Sequence, residues 1–228
     1  MNIAKPPPSA ANFELHHLSP CIGTEVHGID LRCPHDDATF DWLAGLLVER
    51  KVLFFRDQDI SLEQHKAFGR RFGDLHIHPS ARPYKADGVE HPEILFLHAD
   101  EKTTRTAGDT WHSDVSCDPE PPMASILRLV KIPPSGGDTL FACMYSAYDA
   151  LSEPMKQYLG ELTAIHDGAS NYRDRAKRRD NFIEDKEYPR NGHPVVRTHP
   201  ETGEKALYVN TAFTSHIDAV PKAESDAV

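Results

Sequence analysis

His112 and Asp114 stand two residues apart in the segment Thr110-Trp111-His112-Ser113-Asp114. On an extended segment, residues two apart leave the backbone on the same face. An imidazole and a carboxylate so placed can grip one divalent ion. A second histidine from elsewhere would complete the two-histidine, one-carboxylate face that holds non-haem Fe(II) and leaves positions open on the metal. A His-x-Asp pair is also common by chance, and an exposed turn with an ordinary His and Asp is the plain alternative.

Other segments carry weaker signals. Leu75-His76-Ile77-His78-Pro79 places His76 and His78 on one face if it is extended. These two could line a pocket, or join His112 in a rival zinc set for hydrolysis. No HExxH motif supports metalloprotease chemistry. The glycine turn Pro133-Pro134-Ser135-Gly136-Gly137-Asp138 leads into Thr139. The Thr139 hydroxyl can donate to an anionic group, or simply serve in a strand. There is no GxSxG, GxGxxG or GxxxxGK[ST], so hydrolase-elbow and nucleotide-loop chemistry lack support. The basic run Arg173–Arg179 reads as a solvated face, with an anion site as the alternative.

The elements that must position these groups follow from periodicity. Phe13 to Leu18 begins a short strand, and Ile22 to Ile29 forms a strand and turn. Phe40, Leu43, Leu46 and Leu47 have helical spacing over residues 38–49, with Asp36 or Asp37 as cap. Residues 52–55 make a buried strand. Ser61 and Gln64 form a capping box for a helix to about Phe72, which Gly73 ends. Strands are expected at 94–98, 111–115, 124–130 and 139–141, and helices at 144–151 and 153–162. A strand pair surrounds the Pro200-Glu201-Thr202-Gly203 turn, and a last helix starts near Pro221. Many short strands with few long helices suggest a sheet sandwich or barrel with helices outside.

The 228 residues suffice for one domain with a real core. Residues 1–12, with Pro6, Pro7 and Pro8, read as a flexible lead, and 13–228 as the domain. A net charge of -10 argues against a general nucleic-acid role. No apolar run approaches a membrane span and no secretory pattern is evident, so a cytoplasmic protein is expected. Cys21, Cys33, Cys117 and Cys143 match no common zinc pattern or disulfide framework. The sequence leaves a homo-oligomer open.

Together these segments resemble the taurine dioxygenase-like (TauD/TfdA) family of Fe(II)- and 2-oxoglutarate-dependent dioxygenases. The matching stretches are residues 52–58, 72–79, 110–114, 136–141, 193–203 and 207–210, with Phe213-Thr214 beyond them. The resemblance implies a mainly β fold with outer helices, the double-stranded β-helix or jelly roll. It implies His112 and Asp114 as iron ligands and Thr139 as a partner of the far carboxylate of 2-oxoglutarate. Trp111 would pack behind the metal strand. His78 would touch the acidic group of the substrate, and Phe213 would form an apolar pocket wall. The implied reaction hydroxylates a small anionic organic substrate with O2, releasing succinate and CO2.

Two departures qualify the resemblance. Gly108 stands where the taurine-specific pattern has asparagine, and Ser80-Ala81-Arg82-Pro83-Tyr84 replaces the usual aromatic after His-Pro. A sulfonate, sulfate ester or aryloxyalkanoate is therefore expected rather than taurine itself. The family's final histidine ligand and its 2-oxoglutarate arginine lie beyond Val228. His166, His193, His199 and His216 do not occupy that histidine's position. The jelly roll is thus expected to be incomplete at its C-terminus. The alternative function is an inactive truncated relative that only binds or supports.

Overall fold

The computed structural model describes residues 5–79, 83–103, 106, 108–178 and 186–228, the side chains of 174–178 excepted. Ser80, Ala81, Arg82 and Arg179 lie outside the described residues, which takes in the expected departure at 80–82 and the end of the basic run. The chain divides into two compact units, one running to Leu75 and from Arg128 to Cys143, the other covering the rest.

The first unit is built on a strand pair, β1 (Glu14–His17) antiparallel to β2 (Thr24–His27). β3 (Leu53–Phe54) joins β2 in parallel. A parallel neighbour needs a crossover, and α1 (Asp37–Arg50) supplies it. Asp36 caps α1 by accepting from the Thr39 amide at 2.9 Å. Phe40, Trp42, Leu43 and Leu46 of α1 pack with Val26, Ile29 and Phe68 into one core. The expected capping box is present. Ser61 accepts from the Gln64 amide, and the Gln64 side chain accepts from the Ser61 amide, which opens α2 (Leu62–Arg70).

The second unit centres on β6 (Thr163–Asp167), antiparallel to both β7 (Arg190–Pro194) and β10 (Thr214–Ile217). Two hairpins accompany it: β4 (Tyr84–Ala86) with β5 (Val89–His91), and β8 (Val196–Thr198) with β9 (Lys205–Leu207). The second surrounds the turn expected at 200–203. The helices are α3 (Met144–Asp149), α4 (Glu153–Gly160), α5 (Ala169–Arg178) and α6 (Lys222–Ala227). Leu159, Ala164, Val195 and Ile217 form one core, and Val115, Cys117, Tyr172 and Phe213 a second. Among the described residues no helix is long and apolar enough to cross a membrane.

Four expected strands are not strands. Residues 94–98, 111–115, 124–130 and 139–141 have no ladder partner among the described residues. A strand exists only through its neighbour's backbone, and apolar composition alone cannot supply one. Side chains expected in a sheet core are therefore exposed, among them Phe96, Leu127, Leu129 and Leu140.

Candidate metal and cosubstrate site

His112 and Asp114 sit in an irregular segment running into a turn, yet their side chains converge. His112 Nε2 lies 3.2 Å from Asp114 Oδ1. Two ligands at adjacent corners of an octahedral ion, with bonds of about 2.1 Å, stand about 3 Å apart. His112 Nδ1 lies 2.7 Å from the Thr110 carbonyl oxygen, so Nδ1–H donates there. That bond leaves the Nε2 lone pair directed at the carboxylate side, the tautomer a metal needs. Asp114 Oδ2 accepts from Ser125 Oγ at 2.6 Å, which orients the carboxylate. The pair therefore fits two ligands of one cation.

The electrostatics agree. The Asp114 carboxylate raises the His112 pKa, against partial burial. His112 in turn holds Asp114 below the usual carboxylate range, with smaller contributions from Ser125 and His78. The ring of His78 also meets Tyr172 edge-on at 5.3 Å.

The backbone beyond the pair is held under strain. Val115 has φ 50, a left-handed conformation that a β-branched residue rarely adopts. Burial in the Val115–Cys117–Tyr172–Phe213 cluster sustains it, with the Asp118 amide donating to the Val115 carbonyl at 3.0 Å. Next, Ser116 Oγ pairs with His166 Nδ1 at 2.9 Å and accepts from Asn210 Nδ2 at 3.0 Å. Asn191 Nδ2 donates to the Cys117 carbonyl at 2.7 Å. His193 Nε2 donates to the Asp118 carbonyl, and His76 Nε2 pairs with Asp118 Oδ2 at 2.8 Å. Residues 115–118 are thus pinned to β6, β7 and the segment before β10. Sequence reasoning missed Ser116, His166 and Asn191 in this role. Asn210 and His193 lay inside quoted motifs, but nothing in their spacing revealed what they hold.

The remaining predicted residues are placed variously. Phe213 is buried in the cluster behind Val115, packing on Tyr172. Trp111 is 54% exposed, so the packing role expected for its ring is not met, although its carbonyl accepts from Thr211. Thr139 is exposed in the other unit. The rival zinc set is not assembled, because His76 is committed to Asp118. Among the described residues no third His, Cys, Asp or Glu joins His112 and Asp114 in a metal-holding group. The group whose ligand atoms do converge is His16, Glu25 and His27, within 4.8 Å of one another. Its composition, two imidazoles and a carboxylate, is the donor set that Fe(II) takes in facial triads.

Comparison with known proteins places these residues in context. The family described as taurine catabolism dioxygenase TauD, TfdA family matches residues 14–228. The alpha-ketoglutarate-dependent sulfonate dioxygenase of Saccharomyces cerevisiae is 33% identical, covering 96% of this chain and 54% of its own length. The alpha-ketoglutarate-dependent sulfate ester dioxygenase of Pseudomonas putida is 33% identical, covering 96% of this chain and 72% of its own. A crystal structure of a taurine dioxygenase from Burkholderia xenovorans superposes with a TM-score of 0.75 at 35% identity, covering 96% of this chain and 70% of that one. The mixed α and β fold is thus homologous to these proteins and consistent with a jelly-roll-type core. The chain spans between 54 and 59% of the length of three of the curated relatives it matches.

Proposed function

This chain belongs to the TauD/TfdA dioxygenase family, and on that premise we propose that it is part of an Fe(II)- and 2-oxoglutarate-dependent dioxygenase. His112 and Asp114 are two of its iron ligands. The observation that carries this reading is the 3.2 Å convergence of His112 Nε2 and Asp114 Oδ1, with Nδ1 tied to a backbone carbonyl.

When bound, iron with 2-oxoglutarate supplies the oxidising power to hydroxylate an unactivated carbon, with succinate and CO2 as co-products. The work of this chain is positional. Thr110 and Ser125 orient the two ligands, and the buried turn at 115–118 fixes their backbone. Thr139 donates its hydroxyl to the far carboxylate of 2-oxoglutarate. His78 meets the anionic group of the substrate, and Phe213 backs the pocket.

The substrate class follows from the relatives' names and from residue 108. A sulfonate, a sulfate ester or an aryloxyalkanoate fits a site that offers His78 and lacks the taurine-pattern asparagine. A cytoplasmic setting suits the exposed thiols of Cys21 and Cys33.

The test is succinate release that depends on both Fe(II) and 2-oxoglutarate. It is measured on the 228-residue chain and on a chain of its relatives' length, with a panel of sulfonates, alkyl sulfates and aryloxyacetates. Turnover lost in His112→Ala and Asp114→Ala supports the reading. No succinate from either length overturns it.

A further inference from the structure

The outward face of the β1–β2 hairpin carries a second set of metal-ligating side chains. The register pairs Glu14 with His27 and His16 with Glu25. Strand alternation puts these four residues on one face, while Val26 and Thr24 are buried from the other. The His16 and His27 rings are 4.4 Å apart between centroids, inclined at 41°. His27 Nε2 lies 2.9 Å from Glu25 Oε2, and His16 Nε2 lies 3.9 Å from Glu14 Oε2.

Glu25 is prepared for a cation on one oxygen only. Arg56 Nη2 sits 2.6 Å from Oε1, leaving Oε2 facing the imidazoles. Pairing with Arg56, then with His27, keeps the carboxyl ionised. The hairpin itself is held by Arg50, which is buried. Arg50 donates to the Ser19, Pro20 and Gly23 carbonyls and to Thr24 Oγ1. The four ligands thus stand on a fixed backbone, and only side chains must move.

We propose that His16, Glu25 and His27 bind a zinc-class divalent ion, with Glu14 as a fourth oxygen donor, independently of His112 and Asp114. Two nitrogens with carboxylate oxygens suit Zn2+ and its neighbours, whereas Mg2+ and Ca2+ take oxygen sets. A tetrahedral zinc ion sets its ligands about 3.4 Å apart. Rotation of the exposed His16 side chain closes the present spread of up to 4.8 Å. The charge of Arg56 opposes a cation here, so binding is of micromolar rather than structural-zinc strength. This site does not depend on the oxygenase reading, and its ligands all lie in the first unit.

The experiment is a Zn2+ titration of the full 228-residue chain, stripped of metal and carrying His112→Ala with Asp114→Ala, followed by calorimetry. One equivalent with a dissociation constant of about 1 µM is expected. Adding His16→Ala or His27→Ala should weaken it at least about tenfold. The His16 and His27 side chains face outward, and far-ultraviolet circular dichroism checks that the variants stay folded. No binding in the His112/Asp114 double variant overturns the proposal. So does binding that survives loss of both His16 and His27.

Discussion

Gly108 lies against the His112 ring so closely that a Cβ there would stand 3.4 Å from Cε1. The glycine has φ +83, a left-handed conformation that side chains disfavour by about 1–2 kcal/mol. At the position where the taurine pattern carries asparagine, a side chain is therefore strained by the backbone and would press on the edge of the His112 ring. Gly108→Ala should lower the melting temperature and weaken Fe(II) binding by about tenfold. Gly108→Asn should cost less stability, because asparagine tolerates this conformation better, yet weaken iron binding similarly. Unchanged iron affinity in both variants, measured by anaerobic titration, would show that the ring has room to yield.

Ser125 reaches the candidate metal pair by donating to Asp114 Oδ2 at 2.6 Å. Removing an outer hydrogen bond of this kind costs about 10–100-fold in metal affinity. Ser125→Ala should show that loss with its melting temperature almost unchanged, since the residue is exposed. Asp114→Asn should lose more, because it removes the ligand charge itself. Equal Fe(II) affinities for Ser125→Ala and wild type would remove Ser125 from the site.

His166 makes the fold acid-sensitive. Burial, then the charge of His193, pushes its pKa down to about 4. Unfolded histidine titrates near 6.5, so between these values the unfolded chain binds the extra proton. The stabilisation is complete above about pH 6.5 and is lost as pH falls toward 4. A shift of this size amounts to about 3 kcal/mol. Urea midpoints should drop across this window, and His166→Gln should flatten the drop. An identical pH slope in that variant would assign the acid sensitivity to other groups.

Arg50 is a buried cation whose partners are three carbonyls and a hydroxyl. Arg50→Met removes the donor from the Ser19 and Pro20 carbonyls, while Gly23 O keeps the Leu18 amide and Thr24 Oγ1 keeps His17, and should destabilise the first unit by about 3 kcal/mol. Arg50→Lys should not rescue it, because one ammonium cannot reach what a planar fork reaches. Denaturant unfolding measures both, and full rescue by lysine would refute the account.

Helices were legible where local chemistry decides them. The Ser61–Gln64 box and the Asp36 cap are short-range hydrogen bonds written in adjacent residues, and α1 and α2 start where those residues put them. The hairpin at 200–203 was legible for the same reason. The strands at 94–98, 124–130 and 139–141 were misread because a ladder depends on a distant backbone that local composition does not specify. β6 was overlooked beside the helix before it, since Thr163 to Asp167 is too polar to stand out. At the site, the side chains of His112 and Asp114 converge to 3.2 Å, but not by the strand geometry that the His-x-Asp spacing suggested. The two side chains meet across an irregular turn, held by Val115 in an unfavourable conformation, rather than along a strand. The tethers at Ser116, His166 and Asn191 could not be foreseen, because each joins residues 50 or more positions apart in the chain.

Val130 and Leu140 are 77% and 71% exposed, and Leu129 and Ile132 stand out beside them. Greasy side chains on backbone that, among the described residues, no neighbouring strand has claimed behave as adhesive. They attract any surface able to shield them from water, another copy of the molecule included. Handling this polypeptide at high concentration therefore calls for low temperature, where hydrophobic attraction weakens, and for charge-bearing substitutions along residues 129–132 before any crystallisation is attempted.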